Sequence, residues 1–97
     1  MDLVLRYRYN SMLVEVSIAG DILAGKKITA DSEGYAFPSI PKELKPSFNI
    51  MFPIYGVKNN LCVRMFVEDT DHFSVTSNET VTTVKEYTSV VFVYSRS

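Results

Sequence analysis

Apolar and polar residues alternate with a period of two along most of this chain. Leu3, Leu5, Tyr7 and Tyr9 share one parity while Arg6 and Arg8 take the other, the pattern of a strand with one wet face. After Asn10-Ser11 the alternation resumes, with Met12, Val14, Val16 and Ile18 set against Leu13, Glu15, Ser17 and Ala19 as far as Gly20-Asp21. A second strand is expected there, paired with the first through a tight turn. Residues 22–30 are less decided: Ala24-Gly25 weakens a helix and Lys26-Lys27 weakens a buried strand, so a short edge strand is expected. Asp31-Ser32-Glu33-Gly34 is turn chemistry. Pro38, Pro41 and Pro46 then exclude a helix interior or a central strand, which makes 38–46 a loop over the surface.

Phe48-Asn49-Ile50-Met51-Phe52 should be extended up to Pro53, and the turn Gly56-Val57-Lys58-Asn59-Asn60 opens a hairpin. In 61–68 both parities are apolar enough for a strand covered on two sides, and therefore central. The acidic turn Glu68-Asp69-Thr70-Asp71 leads into a half-buried strand from His72, with Phe73 and Val75 facing one way and Ser74 and Thr76 the other. From Val81 to Tyr94 the chain is rich in Val, Thr, Tyr and Phe, which fit one long strand or two joined by a bulge near Lys85-Glu86. Short strands between turns, with no helical period, predict an all-β antiparallel sandwich or small barrel.

The 97 residues suit one domain, 1–97, with no room for a second core. With 10 Lys+Arg against 11 Asp+Glu, the net charge of −1 offers no electrostatic footprint for nucleic acid or an anionic membrane. No apolar stretch approaches the roughly 20 residues of a membrane span, and the N-terminus lacks a signal-peptide layout. A soluble chain made in a cytoplasm is expected, with no membrane insertion. Cys62 is a single cysteine and cannot close an intrachain disulfide; it reads as a small buried apolar group.

From Met12 onward the order of features resembles the C-terminal receptor-binding heads of bacteriophage tail-fibre and baseplate proteins. The resemblance is carried by the double-proline phrase Ile40-Pro41-Lys42-Glu43-Leu44-Lys45-Pro46-Ser47 and by the closing strand Tyr87-Thr88-Ser89-Val90-Val91-Phe92-Val93-Tyr94. Where many such heads have an Asp-Gly turn, this chain has Asp69-Thr70-Asp71-His72. The resemblance implies a compact β-barrel head, homotrimeric at the end of a fibre shaft on the phage tail tip. It also implies recognition of host cell-wall saccharide for adsorption, beside other tail and baseplate proteins, and no cofactor. The alternative is a trimerisation or adaptor module of the tail that binds no receptor. The 46% hydrophobic content agrees with self-association, and a strand beginning directly after Met1 suggests a C-terminal fragment of a longer fibre protein.

No catalytic constellation stands out, so a non-enzyme is expected. His72 is the sole histidine, which excludes sites of two or three histidines, and a Cys-His pair could only be Cys62 with His72. The acidic cluster of Glu68, Asp69 and Asp71 lacks EF-hand spacing and reads as a solvated turn. Neutral sugars are met by planar polar groups and an aromatic face. The chain has no tryptophan, so a tyrosine beside a turn, Tyr35, Tyr55 or Tyr87, would have to serve. The expected saccharide site is therefore Tyr55, Asn59, Asn60, Arg64, Asp69, Asp71 and His72, gathered around one exposed hairpin end.

Overall fold

A computed structural model describes residues 1–56, 58, 60–67 and 70–96. The alternating segments form strands. β1 (Asp2–Tyr9) and β2 (Leu13–Ile22) make a hairpin whose register runs without a break from Asp2 opposite Asp21 to Tyr9 opposite Val14. The Asn10 side-chain carbonyl closes its turn by accepting from the backbone N–H groups of Met12 and Leu13, each at 2.8 Å, the local bonding that makes Asn a turn residue. The short strands that follow are β3 (Lys27–Ile28), β4 (Tyr35–Ala36), β5 (Ile50–Pro53), β6 (Cys62–Met65), β7 (Ser74–Thr76) and β8 (Val81–Thr82), and the ten-residue β9 (Glu86–Ser95) comes last.

All pairings are antiparallel, and they build a three-stranded sheet β1-β2-β9, a four-stranded sheet β4-β7-β6-β5 and a ribbon β3-β8. The two larger sheets pack as a sandwich and do not close into a barrel among the described residues. Val14, Val16, Ile18, Val90 and Phe92 from one sheet meet Val63, Met65 and Val75 from the other, with Phe73 fully buried beside them. Phe92 links the layers: Phe52 stacks on it at 4.3 Å between ring centres, and Phe73 meets it edge-on at 5.4 Å.

Several expectations change once the layers are assembled. The closing segment is neither one long strand nor two joined by a bulge: β8 leaves to pair with β3, and residues 83–85 separate it from β9. Thr83 holds that junction, its N–H donating to the Lys26 carbonyl at 2.9 Å and its hydroxyl to the Leu23 carbonyl. β7 is buried on both faces rather than one, because the turn after β3 folds across its outer side. The proline-rich stretch is a loop interrupted by one 3-10 turn, Lys42–Leu44, and it is anchored in the core rather than laid on it, since Ile40, Leu44 and Pro46 are all buried. The Tyr94 hydroxyl donates to the Leu44 carbonyl at 2.8 Å, and burial pushes its phenol up to about 12.

β1 departs furthest from its pattern. Leu3 is buried, Leu5 half-buried, and Tyr7 and Tyr9, of the same parity, are 40% and 59% exposed. Their rings lie 6.4 Å apart, with the Arg96 guanidinium 5.4 Å from the centre of Tyr9. The inward face of β1 thus emerges from the sandwich toward its Tyr9 end.

Candidate functional site

The outer face of the second sheet carries a groove of about 300 Å³. Strand parity decides its floor: Val63 and Met65 point into the core, so Cys62 and Arg64 point out. Across the ladder Met51 stands opposite Arg64 and Pro53 opposite Cys62, and these two form one apolar wall. The other wall is the turn carrying Asp31, laced to β7 and the segment after it. There the Asp31 N–H donates to the Ser77 carbonyl at 2.9 Å, the Gly34 N–H to the Val75 carbonyl at 2.9 Å, and the Thr76 hydroxyl to the Ser32 carbonyl at 2.7 Å. Asp31 holds a φ of +57°, left-handed backbone that aspartate tolerates better than most residues. Asn60 and Asn78 complete the lining.

Arg64 is half-buried, its guanidinium 4.3 Å from the centre of the Phe66 ring, and it donates to the Asp31 carbonyl at 3.4 Å. That bond is long, and a guanidinium has five donors, so capacity remains for a ligand. Cys62 is half-buried rather than fully buried; its Sγ lies 3.8 Å from the Thr76 carbonyl. Burial pushes its thiol up, with Arg64 opposing, so it stays protonated at neutral pH.

Of the seven residues expected at one hairpin end, only Asn60 and Arg64 line this groove. Tyr55 is 67% exposed, lies past the end of β5 outside the lining, and forms a bridge to Ser89 of β9 in the first sheet. Its carbonyl accepts the Thr88 hydroxyl, which ties the hairpin end to β9. Tyr87 is also exposed, whereas Tyr35 is half-buried edge-on against Phe37. Asn59 and Asp69 lie outside the described residues. Asp71 and His72 sit past the opposite end of β6, roughly 20 Å from Asn60 at the rise of an extended strand, so the expected cluster does not converge.

His72 is a clip rather than part of the groove. Its Nε2 lies 2.7 Å from a Glu33 carboxylate oxygen and its Nδ1 lies 3.3 Å from Asp71, which also accepts the Ser39 hydroxyl at 3.0 Å. Two carboxylates facing two ring nitrogens require both to donate, which is the imidazolium form. Desolvation pulls the His72 pKa down but is outweighed by Glu33 and Asp71, and the net shift is upward. The bonds from His72 and Ser39 hold Asp71 below its ordinary value. A raised histidine pKa stabilises fully below the unfolded value near 6.5 and is lost as pH rises through the folded value. Stability is thus expected to decline above about pH 6.5, and His72→Gln should flatten that decline in urea unfolding measured across pH. An equally steep decline in the variant would assign it to other groups. The same contacts occupy both ring nitrogens, and no Cys62–His72 pair forms.

Sequence comparison finds no matching family model and no matching curated protein. Among the described residues, no three His, Cys, Asp or Glu side chains group as a metal site. The groove is lined by Arg64, Asp31, Asn60 and Asn78 beside the Cys62 thiol, the Thr76 and Ser77 side chains and the apolar wall, and the Asn60 amide also donates to Glu79 at 3.5 Å. Asp31, Met51, Pro53 and Asn78 were not legible as site residues: Asp31 reads as part of a turn, and nothing in sequence brings residues 31, 51, 60, 64 and 78 together.

Proposed function

We propose that this chain is a non-catalytic recognition domain that binds a saccharide along the groove of its second sheet. The observation that carries the reading is the convergence of Asn60, Arg64, Asp31 and Asn78 over Met51 and Pro53. Carboxamides and a guanidinium meet sugar hydroxyls in pairs, and the apolar wall suits the C–H face of a pyranose. Tyr55, exposed beyond the Asn60 end, offers the aromatic face to a further sugar unit of a polymer. The resemblance to phage receptor-binding heads supplies the setting: host cell-wall polysaccharide as ligand and a virion tail tip as location. An assembly or adaptor module of such a tail is the second reading, favoured by the uncovered face and free edge of β1.

Calorimetric titration of the chain with cell-wall polysaccharide fragments tests the first reading. Arg64→Ala and Asn78→Ala are each expected to weaken binding about tenfold or more, since a lost bond to a charged or buried polar group is worth about 1.5–3 kcal/mol. Both side chains sit on the outer face, so the circular dichroism of the folded chain should not change. Binding unaltered in both variants would exclude the groove, and no saturable binding by the parent chain would favour the assembly module.

A further inference from the structure

We propose that two copies of this chain associate along β1, antiparallel, about a two-fold axis at Leu5, so that two three-stranded sheets merge into one of six. Among the described residues, β1 is an edge strand of eight residues that pairs with β2 alone. It carries no proline, and its unbroken register with β2 leaves no bulge to turn the edge away, so of the usual protections of an exposed edge only charges, Asp2, Arg6 and Arg8, are present. Its inward parity, Leu5, Tyr7 and Tyr9, is the part of the apolar face that the second sheet leaves uncovered.

The occupant follows from charge. Residues opposed across an antiparallel ladder share a face, so only registers that keep parity are open. With Leu5 opposite Leu5 of the second copy, Leu3 meets Tyr7 and Asp2 meets Arg8, each twice. Shifting one way puts Arg6 opposite Arg6; shifting the other shortens the ladder. Within one chain, Asp2 already stands opposite Asp21, two like charges on the same face, an unfavourable cross-strand pair. Arg8 is held by Glu15 at 2.8 Å across the same ladder. In the paired sheet the row reads Asp21, Asp2, then Arg8 and Glu15 of the second copy, so Asp2 gains an opposite charge on its open side that offsets the repulsion from Asp21. A two-fold pair differs from the homotrimer implied by the resemblance, and it does not depend on the groove binding anything.

Sedimentation equilibrium of the whole chain at 10–300 micromolar, roughly the range where weak dimers dissociate, should show a monomer–dimer equilibrium. Asp2→Lys and Arg8→Glu should each weaken it about tenfold to a hundredfold, because each places like charges opposite one another at both ends of the interface. An equimolar mixture of the two variants should restore the dimer. In the mixed pair the introduced lysine faces the introduced glutamate, and the remaining Arg8 faces the remaining Asp2. Hydrogen exchange on the parent chain gives a readout without substitution: β1 amides should gain protection as concentration rises. A monomer at the highest concentration, a trimer, or a dimer indifferent to both charge reversals would overturn the proposal.

Discussion

Truncating Phe73 to alanine is expected to cost about 3–5 kcal/mol of stability, the usual range for deleting a fully buried aromatic ring. The ring is wholly buried, meets Phe92 edge-on at 5.4 Å and lies 6.2 Å from Tyr94. It therefore touches both sides of the sandwich where β9 crosses the second sheet. Its carbonyl accepts the Phe37 N–H at 2.9 Å, which brings the chain before the proline loop onto the same point. A void there cannot be filled by one neighbour moving, because Phe92 is itself stacked on Phe52 and close-packed interiors relax only in part. Small domains have about 5–15 kcal/mol in total, so the variant should lose a large share of its urea midpoint with little change in slope. A loss under about 1 kcal/mol would mean that the second sheet is not held through Phe73.

The second large effect is expected at Gly20. Its φ of +143° is one that side chains rarely adopt, and a Cβ there would lie 2.1 Å from the Asp2 carbonyl oxygen and 3.0 Å from the Leu3 Cα. Those obstacles are backbone atoms of the paired strand, so relief requires the start of β1 to lift from β2. Gly20→Ala should cost about 1–3 kcal/mol from backbone conformation alone, with the overlap adding to it. Gly25 is the control, since its φ is also positive but nothing lies within 4 Å of a Cβ there; Gly25→Ala should cost less. Hydrogen exchange should show β1 amides opening in Gly20→Ala while those of β6 and β7 stay protected. The displaced Asp2 would no longer face Arg8 of a second copy, so the same variant should weaken association. Equal stability of the two alanine variants would contradict this account.

The strands were largely legible because each apolar run is local: Val14, Val16 and Ile18 on β2, and Val63 and Met65 on β6, declare their buried faces by parity alone. The hairpin of β5 and β6, the short edge strand at Lys27–Ile28 and the central place of β6 follow from the same rule joined to turn residues. The failures lie where burial depends on a distant segment. Tyr7 and Tyr9 obey the inward parity yet are exposed because the opposing sheet does not reach them, and Ser74 and Thr76 obey the outward parity yet are buried because residues 31–34 fold over them.

The amino-acid sequence by itself determined an all-β antiparallel fold, the longer strands of its hairpins and the buried faces of β2 and β6, because alternation and turn chemistry act between near neighbours. Only the tertiary structure decided that the sheets form an open sandwich, that β8 and β9 part company, and that Asp31 and Asn78 join Asn60 and Arg64 while His72 is drawn away by Glu33. Those outcomes rest on contacts between residues far apart in the chain, and periodicity carries no information about which distant face comes to rest on which.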